Sequence, residues 1–210
     1  TLHNGINSVG MEAFRDCTAL EEIVGGFPSS LEIISTSAFR NLPRLREVKF
    51  PEDSQLKELG YLAFLGAASI TTLKLPSSLE TWSGGTFQSC KALKLVDLSL
   101  TSLSPAGTGF RYCTELETVY WNNDTTIIED GAFKDCRKLG KINLPTNLEK
   151  VESSAFQGIA LTSVKIPSFV TTIDSLAFSD NSQLEEVIME SKSIGFPGDY
   201  GPFFGSPVST

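Results

Sequence analysis

Leu139-Gly140-Lys141-Ile142-Asn143-Leu144-Pro145-Thr146-Asn147-Leu148-Glu149-Lys150-Val151-Glu152-Ser153-Ser154-Ala155-Phe156 is the stretch that decides the fold. Read as L-x-x-V-x-L-P-x-x-L-x-x-I-x-x-x-A-F, it ends on an anchor that recurs through the chain. The anchors are Phe14, Phe39, Phe64, Phe87, Phe110, Phe133, Phe156 and Phe178, separated by 25, 25, 23, 23, 23, 23 and 22 residues. A degenerate ninth unit centres on Phe203, 25 residues further on. Self-similarity at this period signals stacked supersecondary units, none of which can bury its apolar face alone.

The remaining positions keep the same frame. Six residues after the anchor stand Leu20, Leu45, Ile70, Leu93, Leu116, Leu139 and Leu184, with Leu161 one residue early. Three further come Ile23, Val48, Leu73, Val96, Val119, Ile142, Val164 and Val187, and two beyond those Phe50, Leu75, Leu98, Trp121, Leu144, Ile166 and Met189. Strict alternation with β-branched residues predicts a short strand with one buried face. Pro28, Pro51, Pro76, Pro145 and Pro167 follow it and end it, because proline has no N–H to give to a ladder. Thr36, Asp130, Ser153 and Ser175, three before their anchors, read as N-caps of a short helical turn carrying the Ala-Phe pair.

These pieces predict an α/β leucine-rich-repeat solenoid: a curved right-handed coil of about eight to nine repeats of 22–25 residues. A parallel β-sheet lines the concave side and short helical turns the convex side. Strands about 4.8 Å apart make the stack roughly 40 Å long. Residues 1–210 are expected to form one domain with incomplete terminal repeats. Thr1-Leu2-His3-Asn4 carries neither initiator Met nor signal peptide, and neither end has a clear polar cap, so the chain reads as part of a longer protein. Gly195 to Phe204 reads either as a degenerate unit or as a cap over the last open core face.

With 40% hydrophobic and 20% charged residues the chain can bury a core. Its net charge of -8 without a basic cluster argues against nucleic acid and anionic membrane as partners. No apolar run reaches the 18 residues a bilayer span needs. Cys17, Cys90, Cys113 and Cys136 each lie three after an anchor, where other units place Leu42, Ala67, Ile159 and Asn181. The shared slot reads as a ladder of buried thiols; disulfide and metal are the weaker readings, since C-x-x-C spacing is absent and in-register stacking suits S–S geometry badly. His3, the single histidine, sits at the start of the chain, away from any candidate nucleophile. No catalytic, cofactor or metal residues are expected. Asn123-Asp124-Thr125 is an N-glycosylation sequon, relevant only in a eukaryotic host.

The unit, with its A-F-x-x-C and strand-L-P pieces, resembles the BspA-like, or Treponema-type, leucine-rich repeats from residue 2 to about 190. Ser99 and Asn122 depart from the pattern where Pro is the rule, and Leu103 and Pro105 blur the following L-x-x-I. The resemblance implies an exported or surface-anchored protein, extracellular or at the cell surface, that adheres to host or other cell proteins without catalysis. A structural spacer and a carbohydrate-binding module are the alternatives. The outward strand rows, Glu22, Glu47, Thr72, Leu95, Thr118, Lys141, Ser163, Glu186 and Val24, Lys49, Lys74, Asp97, Tyr120, Asn143, Lys165, Ile188, are mostly polar. Leu95 and Tyr120 break that rule side by side, with Lys49, Lys74, Asp97 and Asn143 around them. This patch is the expected contact site for a protein ligand, against the plainer reading of ordinary variable surface. A monomer is expected.

Overall fold

The computed structural model describes residues 1–208, and its coils follow the anchor frame. Number the coils by anchor, Phe14 in coil 1 to Phe203 in coil 9. Successive anchor rings stack with centroids 5.0–5.8 Å apart and planes within 17°. Phe39 to Phe178 are fully buried, whereas Phe14 and Phe203, at the ends of the stack, are half-buried. The contact from Phe178 to Phe203 at 5.5 Å makes the degenerate tail a ninth coil.

Three parallel ladders join the coils. The first is the strand face, where β4 (Thr72–Lys74), β6 (Leu95–Asp97) and β7 (Thr118–Tyr120) pair in order and β10 (Ser163–Ile166) pairs β12 (Glu186–Met189). The second uses the L-x-x-I pieces: β1 (Ser8–Val9), β2 (Ile33–Ile34), β3 (Glu58–Leu59) and β5 (Thr81–Trp82) form one sheet, and β8 (Ile127–Ile128), β9 (Lys150–Val151) and β11 (Thr172–Ile173) another. Along every strand of this second face, the residue five before the anchor points into the core.

The third ladder lies at the anchors and corrects the expectation of helical turns. No helix is present among the described residues. The N–H groups of the anchor and of the residues two before and two after it point to the next coil, as in Ser37 to Tyr61 O, Phe39 to Ala63 O and Asn41 to Leu65 O at 2.8–2.9 Å. The alternate N–H groups close three-residue turns within the coil, such as Arg40 to Ser37 O at 3.2 Å. The cause is backbone hand. The residues two before and two after the anchor are left-handed: Ser37 and Asn41, Leu62 and Gly66, Gly85 and Ser89, Thr108 and Tyr112, with φ of 56–73°. An α-helix cannot continue through such residues. Thr36, Asp130, Ser153 and Ser175 therefore cap no helix.

The cysteine ladder also needs correction. Cys90, Cys113 and Cys136 are buried and donate to the carbonyls of Phe64, Phe87 and Phe110 in the preceding coil at 3.5, 3.3 and 3.2 Å. Burial pushes the Cys90 and Cys136 thiols well above the usual cysteine range, which disfavours the reactive thiolate. Cys17, in the first coil of the described stack, is exposed. Asn181 fills the same slot in coil 8, where its Nδ2 donates to Phe156 O and Phe178 O at 3.1 and 3.0 Å. The slot is thus a hydrogen-bonding bridge as well as an apolar position.

Candidate functional site

Register brings four of the six residues of the expected patch together. Lys74, Asp97 and Tyr120 are Cα partners across three consecutive strands, and Leu95 stands between Thr72 and Thr118 in the parallel row. Side chains two apart on a strand share a face, so these residues project from one surface. Tyr120 is 53% exposed, while Leu95 and Asp97 are half-buried. The ring of Tyr120 thus stands proud of a polar ladder.

One member of the patch, Asp97, and its neighbour in the next coil, Asn122, have structural duties. Asp97 Oδ1 accepts from Ser99 N at 2.9 Å and Ser99 Oγ at 2.6 Å, a local turn that ends the strand where proline is missing. Asn122 plays the same part after Tyr120, accepting from Asp124 N at 2.9 Å. Trp121 turns inward, edge-on to Phe133 at 5.5 Å, so the neighbour of Tyr120 packs the core. The two lapses from the L-P rule are therefore alternative strand stops.

Lys49 and Asn143 lie outside the paired strands. Lys49 Nζ is bound to Glu47 Oε1 at 2.7 Å, two coils from Asp97. Asn143 belongs to coil 6, whose strand segment is unpaired, and lines a groove of about 330 Å³ with Ile142, Lys165, Phe169 and Glu190. Lys165 Nζ meets Glu190 Oε1 at 2.8 Å in that groove. A larger groove, about 560 Å³, lies elsewhere, over Glu21, Glu22, Arg46, Glu47 and Thr72. No strand pairs through coils 1 and 2 on that face, and both grooves open beside unpaired segments.

Phe169, 62% exposed, was not singled out in the sequence. The frame carries its signal: Ser30 and Ser78 hold the same place after the proline, where they donate to Ile6 O and Leu56 O of the preceding coil at 2.9 and 2.8 Å. Phe169 replaces that bridge with an outward ring. Met189, expected in the core, is 41% exposed. Among the described residues no group of three or more His, Cys, Asp or Glu is placed to hold a metal, and no helix is long and apolar enough to cross a membrane.

The sequence profile described as BspA type leucine rich repeat region matches residues 7–105 and 106–198, in six copies. The crystal structure of a leucine-rich repeat protein from Bacteroides ovatus superposes on 98% of this chain and 64% of its own, with a TM-score of 0.68 and 18% identity. A leucine rich cell surface protein from Faecalibacterium prausnitzii covers 91% of this chain and 46% of its own, with a TM-score of 0.61 and 25% identity. A leucine-rich repeat protein of T. pallidum covers 84% and 72%, with a TM-score of 0.56 and 20% identity. The chain thus spans less than two thirds of the first two structures. No relative among curated proteins matches it.

Proposed function

This chain belongs to the family of BspA-type leucine-rich repeat proteins, and we propose that it is a recognition module that holds a protein partner on its strand face around Tyr120. Repeat proteins of this kind are generally interaction modules, and a stacked sheet offers an extended surface without a deep pocket. The observation that supports this seat is the exposed Tyr120 ring in one registered row with Lys74 and Asp97 on the three-stranded part of the sheet. Tyrosine is a favoured binding anchor because it buries a large area while ordering few rotatable bonds. Lys74 and Asp97 would fix orientation, and Leu95 would extend the apolar contact.

We place the chain's work outside the cell, bound to a host or neighbouring-cell protein. The Faecalibacterium prausnitzii protein is a leucine rich cell surface protein, and the family supports the same assignment here. The test is a binding screen of the purified chain against extracellular matrix and cell-surface proteins, run beside Tyr120→Ala. A partner that loses at least about tenfold in affinity on Tyr120→Ala supports the seat. A partner bound equally by both proteins overturns the seat, and a screen with no partner at all overturns the recognition reading.

A further inference from the structure

Counting backbone rungs coil by coil singles out one junction. On the second face, the residue four before each anchor donates to the preceding coil: Ser35 to Val9 O at 2.9 Å, Gly60 to Ile34 O at 2.7 Å, Ser83 to Leu59 O at 2.9 Å. The rung is missing at Ala106 and again at Glu129, then returns as Glu152 to Ile128 O and Asp174 to Val151 O, both 2.9 Å. Both lapses flank residue 105. Val9, Ile34, Leu59, Trp82, Ile128, Val151 and Ile173 hold the fifth place before their anchors, and coil 5 puts Pro105 there. Proline has no N–H and cannot take a central place in a ladder.

The strand face fails one step later. Lys94 donates to Thr71 O and Glu117 to Lys94 O at 2.8 and 2.9 Å, and Glu185 to Thr162 O at 3.0 Å, but no backbone bond joins Gly140–Leu144 to the strands on either side. Coil 7 is one residue short here, which shifts its strand against coil 6. Ile142 and Leu144 are 8% exposed, while their counterparts Val96 and Leu98 in coil 4 are at most 1% exposed.

Among the described residues the two lapses overlap between coils 5 and 6 alone. Coils 2 and 3 lack strand-face rungs but keep β2 on β3; coils 4 and 5 lack the second ladder but keep β6 on β7; coils 6 and 7 keep β8 on β9. Between coils 5 and 6 the backbone bonds are those of the anchor ladder: Thr108 to Asp130 O, Phe110 to Ala132 O and Tyr112 to Lys134 O, at 2.8–2.9 Å. Side-chain links there run from Gly107 N to Glu129 Oε2 at 2.7 Å, from Cys136 Sγ to Phe110 O at 3.2 Å and from Lys138 Nζ to Glu115 Oε2 at 2.6 Å, all within five residues of an anchor, and beyond the strands from Thr146 N to Asn123 Oδ1 at a long 3.4 Å. The connection between the coils also holds two buried polar atoms without partners, Trp121 Nε1 and Thr125 Oγ1. Thr125 sits in the place that Leu31, Leu56, Leu79 and Leu148 fill elsewhere.

We propose that the junction between coils 5 and 6 is a hinge: the anchor ladder is its pin, and the rungless strand and second faces let coils 1–5 and 6–9 tilt against each other. In a solenoid each coil is held by its neighbours alone, so the weakest junction sets where the stack bends. The proposed seat of Lys74, Leu95, Asp97 and Tyr120 lies wholly on the coil 1–5 side, so it moves as one body against coils 6–9.

The experiment needs no partner. In a Cys17→Ser background, nitroxide labels at Lys94→Cys and Lys165→Cys span coils 4 to 7, and labels at Glu22→Cys and Lys94→Cys span coils 1 to 4. Each pair crosses three junctions, and the buried thiols are shielded. Pulsed electron–electron resonance on the folded chain should give a distance distribution at least about twofold wider for the first pair. Equal widths overturn the hinge. Adding Pro105→Val, which restores an N–H and a β-branched side chain to the slot, should narrow the first distribution and leave the second unchanged. A width untouched by that substitution, in a variant whose melting confirms folding, also overturns it.

Discussion

The anchor face and the strand face of this solenoid invert the usual relation between regular structure and continuity. The strand face carries recognisable β-strands yet breaks into a three-stranded and a two-stranded piece. The anchor face has no helix or strand, yet its rungs run unbroken from coil 1 to coil 8. What distinguishes them is what lies behind the backbone. Stacked phenylalanine rings at 5.0–5.8 Å hold the anchor turns at the spacing their hydrogen bonds need. Behind the strands lie mostly aliphatic residues of varying size, and the ladder lapses on both sides of the coil 6 segment Gly140–Leu144. Continuity follows packing, not secondary structure.

The most direct way to break this comparison is to remove a ring. Phe133 stacks on Phe110 and Phe156, receives Trp121 edge-on and is fully buried. Phe133→Ala should cost about 3–5 kcal/mol in chemical denaturation, through lost transfer energy and an unfilled cavity. A cost below about 1 kcal/mol would mean that the rungs, not the rings, hold the anchor face.

The next test acts on the turns. Gly85 has φ of 68°, and a Cβ there would lie 2.5 Å from Leu62 Cδ2. Gly85→Ala should destabilise by about 1–2 kcal/mol, combining left-handed backbone cost with that clash. Thr108 is the opposite case, a β-branched residue at φ 58°. Thr108→Gly should raise stability by about 0.5 kcal/mol, since relief of backbone strain exceeds the extra entropy lost by glycine. A loss of stability in thermal melts would show that the Thr108 side chain is worth more than its strain.

These left-handed sites also show where the sequence stopped being legible. The frame identified the anchors, the strand registers and the outward rows because burial is written in residue type. Tyr120, Lys74 and Asp97 came out in one row for that reason. Backbone hand is written less clearly. Gly66, Gly85, Gly131 and Gly158 mark the left-handed places beside the anchor, but Leu62 and Leu176 occupy them too and look like ordinary core or helix residues. Helical turns were therefore the natural reading of Ala-Phe. Exposure of Cys17 was equally hidden, because its slot is that of Cys90 and the residue pattern alone does not separate them. The gap at Pro105 was visible as a blurred motif, but its coincidence with the unpaired coil 6 needed the hydrogen bonds of both faces.

The smallest effect bears on the function of the strand face. If that face serves recognition and the anchor face serves stability, substitution at Tyr120 must separate the two. Its side chain is 53% exposed, and no side-chain hydrogen bond ties it down among the described residues. Tyr120→Ala should therefore change unfolding free energy by no more than about 0.5 kcal/mol, as surface substitutions do. The same variant should cost at least about 1 kcal/mol of affinity for a strand-face partner. Trp121→Ala, one residue on, should do the reverse, because its ring packs on Phe133 inside the core. Equilibrium denaturation and titration of the two variants side by side provide the check. If Tyr120→Ala destabilises as much as Trp121→Ala, the tyrosine supports the sheet and the division of labour between the faces fails.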